Sequence, residues 1–119
     1  MSFEEVFAAL KPIFTKYAGS LAVQIDKPGE YYLETKTAVH KGHRLQFGGV
    51  KIGKAYVSFH LMPIYMCPVL QASLSSGLRA RMQGKACFNF KSGPEPELIA
   101  DLKAVTEAGF KRWREQKWL

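Results

Sequence analysis

Between Pro28 and Pro94 the chain carries only two acidic residues, Glu30 and Glu34. With acids so few, reactions run by a pair of carboxylates, one as acid and one as base, are disfavoured. Cysteine is nearly as scarce, with Cys67 and Cys87 the only 2 in 119 residues. The opening Met1-Ser2-Phe3-Glu4-Glu5 lacks the basic and apolar regions of a secretory signal, so both thiols are expected to stay free in a reducing cytoplasm. Long hydrophobic runs are missing too. The longest, Leu61 to Leu70, is interrupted by Pro63 and Pro68 and falls well short of the roughly 20 residues a bilayer demands, so no membrane segment is expected. Neither a G-x-S-x-G elbow nor an H-E-x-x-H helix occurs. Without those arrangements the sequence supports no reaction class, and the expectation is a protein that is not an enzyme.

What the chain does have is basic charge and a globular balance of residues. Lysine and arginine number 17 against 10 acids, a net charge of +7, with 47% hydrophobic and 23% charged residues. Such a chain buries a core as a single domain over residues 1–119 and attracts anions at long range. Ser2 with Glu5 forms a capping box, after which Phe3, Val6, Phe7, Leu10, Ile13, Phe14 and Tyr17 recur at helical spacing. Pro12 predicts a kink or restart, and Gly19 an end. Leu21, Val23 and Ile25 alternate with polar residues up to a turn at Lys27-Pro28-Gly29.

From Glu30 to Leu61 the period is two, predicting strands at Tyr31–Val39, Arg44–Ile52 and Ala55–Leu61 in an antiparallel meander. Val69 to Met82 reads as one or two short helical turns, and Ala86 to Phe90 as a fifth strand. A long closing helix follows Pro94 and Pro96, with acids early and bases late as the helix dipole favours. Its apolar stripe is Leu98, Ile99, Leu102, Val105, Gly109, Phe110 and Trp113, while Lys103, Glu107 and Lys111 are assigned to the wet face. The fold class expected is α+β, an antiparallel sheet of about five strands packed against N-terminal and C-terminal helices.

Three patterns invite a chemical reading. Gly48 to Ala55 matches G-x-x-x-x-G-K, yet Ala55 stands where a phosphate loop needs Ser or Thr, and the following residues have strand period, so a hairpin with bulge-forming glycines is expected instead. His40 and His43 with Cys67 and Cys87 offer four metal donors at spacings that specify no site; no metal or cofactor is expected. Cys87, two residues after Lys85, is a thiol whose pKa cationic neighbours could lower. Basic segments at Lys41–Arg44, Arg79–Lys85 and Lys111–Lys117 lie near tyrosines and tryptophans, a combination found in single-strand nucleic-acid sites. The expectation, however, is that helices cover the sheet face bearing Tyr32, Lys36, Arg44, Tyr56 and His60 and leave the tyrosines as half-buried packing.

The segment Gly84-Lys85-Ala86-Cys87-Phe88-Asn89-Phe90, the Pro-containing loop after it and the helix from Glu97 to Trp113 resemble the end of the YdhG-like family of small proteins. Gly53-Lys54-Ala55-Tyr56-Val57-Ser58-Phe59 is similar to that family's strand after a glycine turn. The resemblance implies an α+β sandwich, and a family of mostly unknown function in which some members are described as frataxin-like iron chaperones. That role rests on an acidic ridge, represented here only by Glu4 and Glu5 in the first helix, so no iron ligands carry over. The function expected is a non-catalytic cytoplasmic domain that binds an unidentified small or anionic ligand between sheet and helices. Tyr32, Arg44, Tyr56 and His60 are its candidate lining, with RNA or another polyanion, or iron, as alternatives.

Overall fold

The computed structural model describes residues 2–119. Helix α1 spans Phe3–Thr15, and the Ser2–Glu5 capping box forms in both directions at 3.1 Å. The helix runs through Pro12 without a restart and ends at Thr15, four residues before Gly19, where its end was expected. Six antiparallel strands follow, β1 Ala22–Lys27, β2 Glu30–Glu34, β3 Gln46–Ile52, β4 Val57–Leu61, β5 Met82–Gln83 and β6 Cys87–Phe90. Their order across the sheet is β1-β2-β3-β4-β6-β5, so a four-strand meander is extended by a late hairpin whose second strand pairs with β4. The class is therefore α+β, with one short strand, β5, more than the sequence pattern suggested.

Three short helices, α2 Met62–Met66, α3 Pro68–Ala72 and α4 Ser76–Arg81, join β4 to β5, where sequence reading had only one or two turns starting later. Pro63 and Pro68 occupy the first turns of α2 and α3, positions whose missing N–H costs nothing. Helix α5 runs Pro96–Glu115. All of the other helices touch α5, so the helices form one layer on one face of the sheet.

The core lies between these layers. Phe14 of α1 sits 4.7 Å from Phe59, centroid to centroid, and Trp113 of α5 meets Phe47 edge-on at 5.2 Å. Buried Leu33, Val50, Phe59 and Phe88 point toward the helices from four successive strands. Two glycines fit this packing. A Cβ on Gly48 would strike the His60 carbonyl and come within 2.8 Å of the Phe14 ring, and a Cβ on Gly49 would strike the Tyr31 carbonyl and the Tyr32 ring. Neither forms the phosphate-loop hairpin nor a bulge between β3 and β4; both pair in regular register with Leu61 and His60.

Two irregularities re-aim side chains. The β1–β2 register slips at Gln24, which puts Val23 opposite Leu33 and Ile25 opposite Tyr32, on different faces. Leu21, Val23 and Ile25 therefore do not line one face as their alternation suggested. A second slip at Phe47 brings Glu34 opposite Gln46. The segment after Glu34 leaves the sheet before Val39, shortening the expected strand; buried Thr35 clasps it, its hydroxyl donating to the Thr37 carbonyl at 2.8 Å and accepting from the Leu45 N–H at 3.0 Å. His40 and His43 close a tight turn whose tip, Lys41 and Gly42, has positive φ at both positions.

Candidate functional site: the uncovered face of the sheet

Strand alternation leaves the second face to polar residues. Register carries one row straight across six strands: Ile25, Tyr32, Gly49, His60, Cys87 and Gln83. A parallel row contains Glu30, Lys51, Ser58 and Asn89. The helices lie on the opposite side, which corrects the expectation that they would cover Tyr32, Tyr56 and His60. Of the four candidate residues, Tyr56 alone borders a concavity that also touches a helix, the groove lined by Ala80 and Arg81 of α4 together with residues of β5 and β6.

The four candidate residues share that face but not one pocket. Tyr32 and His60 stand at the centre, Tyr32 over the bare backbone of Gly49. Arg44 lies toward the Glu34 end, where its guanidinium is 3.2 Å from the Glu34 carboxylate. Tyr56 lies toward the opposite end, just before β4. At roughly 3.3 Å per residue, Tyr56 and His60 are about 13 Å apart along the strand, too far for one small ligand to contact both ends of the set.

The centre holds a pair that the sequence did not join. His60 Nδ1 is 3.1 Å from Cys87 Sγ, both side chains half-buried. Burial pushes the Cys87 thiol above its ordinary value and holds the His60 imidazole below its own. This reverses the expected effect of Lys85, because desolvation outweighs a lysine that stays in water. Burial, with help from Glu30 and Cys87, also raises the Tyr32 hydroxyl. The centre is therefore a neutral thiol beside a neutral imidazole at physiological pH.

Tyr56 walls an open groove of about 550 Å³ beside β5 and β6. Arg81 and Lys91 supply positive charge, and Gln83, Asn89 and Ser92 supply hydrogen-bonding groups. The Arg81 guanidinium stacks 5.2 Å from the Phe90 ring and reaches Glu95 at 3.7 Å, which fixes its plane. Asn89 donates to Gln83 and its carbonyl accepts from the Ser58 hydroxyl at 3.2 Å, so the groove floor is a connected amide network. Sequence reading missed these residues, although the turn at Gly84, with φ of 72°, was a usable signal: a hairpin there places Gln83, Cys87 and Asn89 on one face.

His40 and His43 stay at their hairpin tip and Cys67 is buried between α2 and α3. Among the described residues, no three His, Cys, Asp or Glu side chains gather as a set that could hold a metal ion. Nor is any helix among them long and apolar enough to cross a membrane. No family model, curated protein or solved structure matches this chain.

Proposed function

We propose that the chain is a small non-catalytic binding module that takes an anionic ligand in the groove walled by Tyr56 and edged by Arg81 and Lys91. The observation that carries this reading is the convergence of two cations, an aromatic wall and an amide floor on one concavity, in a chain of net charge +7. Arg81 is held in place before any ligand arrives, which lowers the ordering cost of binding. Free Cys67 and Cys87 suit a reducing, cytoplasmic setting. The resemblance of Gly84–Phe90 and the closing helix to the YdhG-like family is compatible with this reading. Its iron-handling branch has no donor cluster among the described residues to rest on.

Thermal denaturation with adenosine monophosphate, whose base suits Tyr56 and whose phosphate suits the two cations, tests the proposal. Ligand at tenfold its Kd adds about 1.4 kcal/mol, a rise of several degrees in Tm for a domain of this size. The gain should disappear in Lys91→Gln and shrink with added salt. An unchanged Tm at millimolar mononucleotide and millimolar inorganic phosphate would refute an anion site.

A second reading is favoured by one feature, the rings of Tyr32, Tyr56 and His60 along a face free of helices. Single-stranded RNA stacking on them would bind with a steep salt dependence. Titration with an unstructured oligonucleotide at two salt concentrations separates this from a mononucleotide site: no binding, or a flat salt response, removes it.

A further inference from the structure

The two cysteines sit in opposite environments. Cys67 is 8% exposed beneath α2 and α3, whereas Cys87 stands half-buried on the uncovered face with its Sγ 3.1 Å from His60 Nδ1. With the ring proton on Nε2, Nδ1 is an acceptor for the thiol hydrogen, and the pair is a nucleophile beside its base. Burial keeps the imidazole neutral, the form able to take that proton, and it also keeps Cys87 a thiol, so the proton has to be handed over as the sulfur attacks. Gln83 lies directly across from Cys87, and Asn89 lies two residues along the same face, about 7 Å away. Both line the cationic groove, so Cys87, which does not line it, stands next to two residues that do.

We propose that Cys87 is a thiol–disulfide exchange site for a small anionic disulfide of the glutathione type, with His60 as proton acceptor and the Arg81–Lys91 groove holding its carboxylates. Cys87 Sγ attacks one sulfur of the disulfide as its proton passes to His60 Nδ1. A new S–S bond forms and the old one breaks, and the electron pair leaves on the departing sulfur. That sulfur collects the proton from His60 and leaves as a thiol. Cys87 is oxidised, the departing half of the disulfide is reduced, and no other oxidant is used. The carboxylate preference rests on the groove reading above, while the exchange at Cys87 does not.

Incubation of the native chain with oxidised glutathione, followed by intact-mass measurement and peptide mapping, tests this. The expected product carries one glutathionyl group, on Cys87, with Cys67 unmodified, and Cys87→Ser carries none. At pH 6 native Cys87 should react faster than the same cysteine in the urea-unfolded chain, because only the folded chain supplies His60 as base. His60→Gln, with its circular dichroism checked, should slow the native reaction by about tenfold or more. Oxidised glutathione should outpace the cationic disulfide cystamine by about fivefold, the factor of a single charge contact in water, and Lys91→Gln should reduce that ratio. A native chain that reacts more slowly than the unfolded one at pH 6, or first at Cys67, overturns the exchange site even where mononucleotide binding persists. Adduct formation on Cys87 with no preference between the two disulfides overturns the groove's part in it.

Discussion

Gly48→Ala sets two effects of opposite sign against each other, and the structure decides which wins. Alanine costs the unfolded chain less freedom than glycine, a gain of about 0.5–1 kcal/mol inside a strand. Against it, the new methyl would overlap the His60 carbonyl and lie 2.8 Å from the Phe14 ring. The carbonyl belongs to β4 of the β3–β4 ladder, and Phe14 is fully buried against Phe59, so neither can yield freely. Overpacking of this kind costs about 1–3 kcal/mol and exceeds the gain. The net loss is about 1–2 kcal/mol, which lowers the urea midpoint by roughly 1 M for a slope near 1.5 kcal/mol/M. Gly19→Ala is the matched control. Nothing lies within 4 Å of its added methyl and its φ is outside the left-handed region, so the same entropy gain, about 0.4–1 kcal/mol, is realised without a clash. Urea denaturation followed by circular dichroism should move the two variants in opposite directions. A Gly48→Ala variant as stable as the parent would refute the reasoning, as would a Gly19→Ala variant that loses stability.

The two fully buried threonines should answer differently to valine. In Thr106→Val the lost hydroxyl had donated to the Leu102 carbonyl at 2.7 Å within α5, which keeps its helical partner, so stability should change by less than about 1 kcal/mol. Thr35→Val leaves the Leu45 N–H and the Thr37 carbonyl without the hydroxyl that joined them and should cost about 1–3 kcal/mol in the same denaturation assay. The Tyr17 hydroxyl donates to Glu107 at 2.5 Å, holding that carboxyl below its ordinary value of 4.5. A lowered folded-state value means the stabilisation is present above pH 4.5 and is lost as the pH falls through the folded value. Tyr17→Phe should therefore flatten the stability–pH curve in that acid range, and a curve as steep as the parent's would contradict the bond's contribution.

Local signals were legible and long-range ones were not. The capping box at Ser2 and Glu5, the stripe from Leu98 to Trp113 and the turns around Pro28-Gly29 and Gly53 are each written within a few residues. The pairing of β6 with β4 depends on residues some thirty apart, which is why His60 and Cys87 were read as separate features rather than as neighbours. Bulges at Gln24 and Phe47 are invisible to a period-two pattern because a single extra residue reverses every later side chain. Glu107 was placed on the wet face by spacing alone, yet Tyr17 from the turn after α1 claims it. Alternation put Tyr32, Tyr56 and His60 together on a face, but which face the helices choose is a property of the whole sheet. Buried Leu33, Val50, Phe59 and Phe88 decide it collectively.

Where Gly48 and Gly49 follow one another in β3, the wall between interior and exterior is reduced to peptide backbone, with the Phe14 ring against one side and the Tyr32 ring against the other. Elsewhere in the sheet two thicknesses of side chain cushion the helices from events outside. At this one spot they do not, so pressure applied to the outer ring is passed on to α1 with almost no padding in between.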